Sequence, residues 1–350
     1  MNIPLGISGS YDLALRNART GALHHLGRVH NLITDSGFDA PARYAFAKCF
    51  EVIAVGTGRT AAKATDTKLE AFVAKSTTYA TGGSTINGVN FPNAATNDYS
   101  VRELFRTFIA YQNRSGAAVA IGELGVSWEN VDNPTLFSRI VLTDAVSVPD
   151  GFDLLVRYTL RLQLPKDIFR TWKAMTLRIG SVDVAGKLTM AAYYYNADVP
   201  QYFGLSCVYA DGTSGNVITG NGTDAGRAHA YFGLLEPSSI GNGIACAIDQ
   251  RVNDDATYCP YVENLMGGAL QSYTAGSGKV VKRFTFPASK LTGRTDLRTI
   301  AVGMNGGSNN TLSSGNTAYS HQIRFQADAA FTKAATVQWD IDLTLTWARA

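Results

Sequence analysis

The sequence is short of charge. Asp, Glu, Lys and Arg make up 17% of its 350 residues, below the roughly 25% usual for soluble domains. With 31 basic and 28 acidic side chains the net charge is only +3. So small an imbalance argues against nucleic-acid wrapping and membrane adhesion, because both need a clustered basic face. Cysteine is scarce: Cys49, Cys207, Cys246 and Cys259 form no C-x-x-C pair and no zinc-type spacing. They read as small buried hydrophobes. Spacing does not decide whether Cys246 and Cys259 form a bridge. No apolar run approaches the ~18 residues needed to span a bilayer as a helix. The opening MNIPLGISGSYD has neither the basic nor the apolar region of a secretory signal. Neither membrane insertion nor signal-directed export is expected, and the Asn-x-Ser/Thr matches at Asn113, Asn221 and Asn309 read as chance.

Catalytic signatures are missing as well. There is no G-x-S-x-G, HExxH or P-loop. Gly56-Thr57-Gly58-Arg59 lacks the third glycine of a dinucleotide turn. Acids cluster only at Asp254-Asp255 and at Asp340/Asp342, and the latter pair lies on the polar face of a strand. His24, His25 and His30 could be thought of as metal ligands, but neighbouring residues on a strand point to opposite faces. The loops Asp211–Asn216 and Asn221–Asp224 are rich in oxygen but lack the glutamate that completes a calcium loop, so they read as turns. No catalytic residue, cofactor or metal site is expected.

What is abundant points to β structure. Hydrophobic residues reach 45%, with 34 Gly, 16 Tyr and 16 Phe, a composition of many short strands and tight turns. The clearest strand carries Leu154, Val156, Tyr158, Leu160, Leu162 and Leu164 at period two, polar residues between them, and Pro165 to stop it. Val337, Trp339, Ile341, Leu343, Leu345 and Trp347 repeat the pattern near the other end. Ile140 and Leu164 fall on Ile323 and Trp347 at an offset of 183. Upstream, Phe108 and Leu124 fall on Phe286 and Val302 at an offset of 178, which places Gly125 on Gly303. The difference is taken up in the Gly-, Asn- and Ser-rich loop 304–320, where a repeat should vary.

The expected architecture is all-β, with two tandem antiparallel β-sandwich (jelly-roll-like) domains and an extended N-terminal arm. Residues 1–34 form the arm, 35–165 the first sandwich, and 166–350 a diverged duplicate with longer loops. Leu13, Leu15 and then Leu23 to Val29 alternate as a hairpin or an arm on a partner would. Ile3, Leu5, Ile7, Tyr11, Leu13 and Leu15 are too apolar for a free tail, and their odd-number spacing is a strand's, so the arm is expected to dock on a neighbouring subunit. The stretch 191–280 adds aromatics and turn residues. Tyr193, Tyr194, Tyr195, Tyr202, Phe203 and Tyr231 form a candidate contact surface that could stack on sugar rings or fill a core or subunit interface.

Several segments carry a family likeness. Asn31-Leu32-Ile33-Thr34 leads to Gly37, then Val55-Gly56-Thr57-Gly58, then Ala64-Thr65-Asp66-Thr67-Lys68-Leu69. Gly122-Glu123-Leu124-Gly125-Val126-Ser127-Trp128 and Leu136-Phe137-Ser138-Arg139 follow, ahead of the long strand. In that order they resemble tail-fibre-like and other virion structural proteins of tailed bacteriophages, over roughly residues 30–165. The resemblance implies a non-catalytic, oligomeric part of a particle (fibre, collar or neck, or baseplate) made in the host cytoplasm. Its implied partners are copies of itself, as a trimer or higher, other virion proteins and, at a fibre tip, a host glycan or receptor. Read from the residues alone, Gly56 and Gly58 supply positive-φ turns, and Gly122 and Gly125 let a backbone or a ring such as that of Trp128 come close. Glu123 is either an ion-pair partner for an arginine such as Arg139 or a solvated edge carboxylate.

Overall fold

A computed structural model describes residues 1–80, 88–90, 92–93, 100–168, 171–192, 205–208, 214–217, 244–249, 266–305 and 319–350. Those residues are mostly strand, as the alternation predicts. The N-terminal half holds β1 (Asn2–Asn17), β2 (Leu23–His30), β3 (Leu32–Ile33), β4 (Val52–Gly56), β5 (Phe72–Ser76), β6 (Gly88–Asn90), β7 (Val101–Gln112), β8 (Val119–Ser127), β9 (Ser138–Val148) and β10 (Phe152–Gln163). The C-terminal half holds β11 (Lys173–Ile179), β12 (Val182–Ala192), β13 (Leu205–Val208), β14 (Ser214–Val217), β15 (Ile244–Asp249), β16 (Met266–Leu270), β17 (Lys279–Phe286), β18 (Leu297–Asn305), β19 (Tyr319–Phe331) and β20 (Trp339–Arg349). A single turn of helix, α1 (Asp35–Asp39), starts where the Thr34 hydroxyl accepts the Gly37 N–H at 2.9 Å.

One sheet runs through both halves in the order β11-β12-β19-β18-β15-β16-β17-β20-β1-β10-β7-β6, with β2 branching from β1. A second sheet, β3-β9-β8-β4-β5, faces the first across the N-terminal core. Tyr11 Oη on β1 lies 2.7 Å from Ser138 Oγ on β9, and the rings of Phe50 and Tyr158 sit 5.2 Å apart in that core. Period two explains the burial. Leu154, Val156, Tyr158, Leu160 and Leu162 are all 0% exposed, and Ile341, Leu343 and Leu345 no more than 1%. Each such side chain contributes roughly 1.5–3 kcal/mol by leaving water. Val337 departs from the expected pattern: it is 41% exposed, and the strand starts only at Trp339.

The offsets read from the sequence reappear as paired residues. Leu124 faces Ile140 across β8–β9, and Val302 faces Ile323 across β18–β19. Phe108 faces Val156 across β7–β10, and Phe286 faces Trp339 across β17–β20. The match extends to a third strand, with Ala54 opposite Gly125 in one half and Ala245 opposite Gly303 in the other. Because a one-residue slip turns every side chain to the wrong face, agreement over several pairs is a strong constraint.

Residues 1–34 depart from the expected arm. Strand β1 is covered by its own chain: Gly6–Asn17 pair antiparallel with β10, and Asn2–Ile7 pair parallel with Thr344–Arg349 of β20. Ile3, Leu5, Ile7, Tyr11 and Leu13 are all buried, so the strand periodicity was a sound guide to burial but not to the molecule that covers it. Near this seam, α1 grips the end of β20. Trp347 Nε1 donates to the Phe38 carbonyl at 2.7 Å, Arg349 reaches Asp35 at 2.6 Å, and Tyr273 donates to Asp39 at 2.5 Å.

Candidate functional site

The segments that carry the family likeness meet in space. Strands β4, β8 and β9 run side by side, and the loop 57–71 folds back over them. At the centre Glu123 is 0% exposed. Its Oε1 accepts the N–H groups of Gly58 (3.2 Å) and Ala71 (2.7 Å). Its Oε2 accepts the Glu70 N–H at 3.1 Å and Arg139 Nε and Nη2 at 3.0 and 2.8 Å. The same guanidinium gives Nη1 to Asp66 at 2.5 Å and Nη2 to the Thr60 carbonyl at 3.2 Å. Glu70 in turn accepts from the N–H groups of Arg59 and Thr60, and from the Thr60 hydroxyl at 2.6 Å. The ion-pair reading of Glu123 therefore holds, and the solvated-edge reading does not.

Electrostatics follow from this geometry. Burial opposes ionisation of Asp66, but the Lys63 N–H and the Arg139 guanidinium outweigh it and hold the carboxyl below its ordinary value. Burial likewise opposes the charge on Arg139, and its hydrogen bonds to Asp66 and Glu123 overcome it, raising the guanidinium above its usual range. The glycines serve this cluster differently from the sequence expectation. Gly56 and Gly58 do not adopt positive φ. A Cβ on Gly56 would lie 2.6 Å from both the Ala71 carbonyl and Glu123 Oε1, and one on Gly58 would also strike that carboxylate. A Cβ on Gly122 would lie 2.7 Å from the Gly58 carbonyl. Trp128 is not the ring that Gly125 admits; it stacks on Tyr44 at 5.6 Å, and the Leu136 side chain fills the space beside Gly125. The arrangement ties a long loop to a sheet.

The other candidates are dispersed. Tyr193, Tyr194, Tyr195, Tyr202, Phe203 and Tyr231 lie outside the described residues, as do Cys259, Asp254-Asp255 and the loop Asn221–Asp224. Cys49 and Cys246 are both buried, as small hydrophobes would be. Ser214, Gly215 and Asn216 belong to β14. His24 and His25 sit on exposed β2 opposite Leu15 and Ala14. Asp342 pairs with Arg283 at 2.8 Å, and Asp340 accepts the Thr285 hydroxyl at 2.7 Å, both across β17–β20. Among the described residues no three of His, Cys, Asp and Glu gather as metal ligands would.

Two concavities had no sequence signal. One, of about 350 Å³, is lined by Ile179, Val182, Val184, Phe331 and Trp339, with Asp183 and Asp328 also on its wall. The other, of about 390 Å³, is polar and lies between β5 and β7, beside Lys75, Thr78, Tyr111 and Asn130. Segments far apart in the sequence line them, residues 179–185 with 328–339 in the first and 74–78 with 109–112 and 130 in the second, which no local pattern reveals. No protein-family model, curated protein or solved structure matches this chain.

Proposed function

We propose that this chain is a non-enzymatic structural component of a bacteriophage particle, in a tail fibre, collar or neck, or baseplate. It is built as two tandem jelly-roll-like sandwiches and assembles with copies of itself, as a trimer or higher, and with other virion proteins. The observation that carries this reading is the Glu123–Arg139–Asp66 cluster. The segments that resemble virion structural proteins converge there on a buried carboxylate whose oxygens are fully engaged by the chain's own donors. Such a closed network suits a scaffold that must hold one shape under load, and a reacting carboxylate would need an accessible face. The matched register of the two halves supports a duplicated building unit. Native mass measurement of the full chain tests self-assembly, with a trimer or larger expected; a monomer at tens of micromolar would contradict it. Localisation of the labelled chain in its parent particle tests the virion assignment.

A second reading, a receptor- or glycan-binding module at a fibre tip, rests on the density of aromatics at Tyr193–Tyr195, Tyr202, Phe203 and Tyr231. A glycan array comparing the wild type with Tyr→Ala variants at these positions separates the two, and absence of binding by the wild type removes the second.

A further inference from the structure

Two unmatched surfaces lie in different halves of the molecule. The first is the ribbon made by the end of β1 and β2. Every residue of β2 except Val29 is exposed, and among the described residues the strand pairs with β1 on one edge only. Its tip is nonetheless firmly built. Asn17 Oδ1 accepts the N–H groups of Arg19 and Thr20 at 3.0 Å, the Asn17 N–H reaches the Ala22 carbonyl at 2.9 Å, and Gly21 takes the left-handed φ of 75° that the turn needs. Leu23 (55%) and Leu26 (38%) stand exposed on β2 beside His24 and His25. An ordered edge strand with apolar side chains facing water is a template for another strand or an apolar cleft.

The second surface is a fork in the C-terminal half. β12 and β19 pair from Ala192–His321 to Gly186–Ala327, where their pairing ends. Val182–Ala185 stay with β11, while Asp328, Ala329 and Ala330 are exposed on the other arm. The 350 Å³ pocket lies between the arms, floored by Val184, Phe331 and Trp339. Val182 is 56% exposed at its mouth. Three of the seven exposed large apolar residues among those described, Leu23, Leu26 and Val182, thus belong to the ribbon or the fork. The walls add Asp183, already engaged by Arg178 at 3.1 Å, and Asp328.

We propose that the β1–β2 ribbon of one copy docks in the β12/β19 fork of the next, giving a head-to-tail chain of subunits that closes into a ring. This rests on the self-assembly reading above and specifies its contact. Three complementarities carry it. Leu23 and Leu26 match an apolar floor, in a pocket at the small end of the ~300–1,000 Å³ range, sized for a few aliphatic groups. The cationic and imidazole donors Arg19, His24 and His25 match the carboxylate of Asp328. The open edge of β2 matches the strand edges that the fork leaves parted. β2 is held on β1 over residues Ser10–Arg16, so it stays on its own chain and extends to another. Such a contact joins two different patches, and closure then depends on the rotation per subunit.

The test uses the full chain and two sets of surface variants, read by native mass. Leu23→Glu with Leu26→Glu spoils the ribbon, and Val182→Glu spoils the fork. Each variant alone should be monomeric where the wild type is oligomeric, the junction weakening by roughly tenfold or more. Mixed in equal amounts, the two should form a heterodimer, because one intact ribbon and one intact fork remain. A variant that keeps the wild-type mass, or a mixture that stays monomeric, overturns the junction. As a check that does not depend on the glutamates, Leu26→Cys chains mixed with Val182→Cys chains should oxidise to a mixed disulfide dimer; its absence also overturns the proposal. If the wild type is itself a monomer, the self-assembly reading falls with it. If the wild type is oligomeric and both variants remain so, only this junction falls.

Discussion

The two halves of the chain share a strand register but fill it with different chemistry. On the inward face of β7 the N-terminal half buries Arg102, Leu104, Arg106 and Phe108. The matched positions on β17 are Val280, Lys282, Phe284 and Phe286. A cation thus stands at Lys282 where the partner half has leucine, and apolar side chains stand where it has Arg102 and Arg106. Glu123, the centre of the ion-paired cluster, corresponds to Ala301, which is 1% exposed. The register is therefore set by the alternation of inward and outward positions, which both halves keep. Charge placement is a separate choice, made once in each half.

The largest effect expected from breaking this contrast is at Glu123. Glu123→Ala copies the alanine of the other half but leaves three backbone N–H groups without their acceptor and strips Arg139 of one of its two close carboxylates, so it should cost about 3–5 kcal/mol in urea unfolding. Adding Arg139→Met to that variant should recover part of the loss, because the buried guanidinium that has lost its Glu123 partner goes with it. A single substitution no more harmful than a surface change would remove the cluster from the account of stability.

Next comes the seam that joins the halves. Ile3 is 0% exposed between them, and Ile3→Ala should cost about 2–4 kcal/mol in thermal or urea unfolding. A neutral result would mean that β1 does not bind β20 as described.

Lys282 gives a smaller effect with a pH signature. Burial pushes its ammonium down to about 8. Between that value and the ordinary lysine value of about 10.4 the unfolded chain holds a proton that the folded chain has lost. Stability should therefore rise as pH climbs from about 8 to 10, and Lys282→Leu, the residue of the matched position Leu104, should raise stability at pH 7 and flatten that rise. The carboxyls of Asp66 and Asp153 are also held below their ordinary values, so stability again rises with pH, but in an acid window and because the charged form is stabilised. Burial opposes the charge on Asp153, but Arg16 and Arg114, each at 2.7 Å, hold it below its ordinary value, as Arg139 and the Lys63 N–H do for Asp66. Their stabilisation is full above about pH 4 and is lost as pH falls through the lowered values, so acid melts should steepen there and Asp153→Asn should blunt the change. The smallest effect belongs to the half-exposed Arg283–Asp342 pair on the outer face, where Asp342→Asn should cost under about 1 kcal/mol.

How much of this was legible in the sequence depends on range. Alternation at Leu154–Leu164 and Ile341–Trp347 is a local signal, and it located the strands, their buried faces and the matched offsets. The Glu123–Arg139 pair was accessible because the two residues sit on adjacent strands of a hairpin. Asp66 and the Glu70 N–H join them from a loop over fifty residues away, and nothing in the sequence fixes how that loop folds back. For Ile3, Leu5 and Ile7, hydrophobicity announces burial but not the covering partner, so a strand of the same chain was read as an arm for another. The fork beside Trp339 was invisible for a related reason: it arises where two strands stop pairing, and the sequence marks strands far better than their divergence.

Paired cysteines test the shared register most directly. Thr107 faces Arg157 on the outer side of β7–β10, and Thr285 faces Asp340 at the matched positions of β17–β20. Opposed residues on antiparallel strands lie within the span a disulfide bridges. Thr107→Cys with Arg157→Cys, and Thr285→Cys with Asp340→Cys, should each oxidise within the chain to high yield, whereas moving one cysteine of either pair to the next residue should abolish it. Bridging of the first pair alone, with the second closing only in a shifted register, would contradict the claim that the two halves are paired alike.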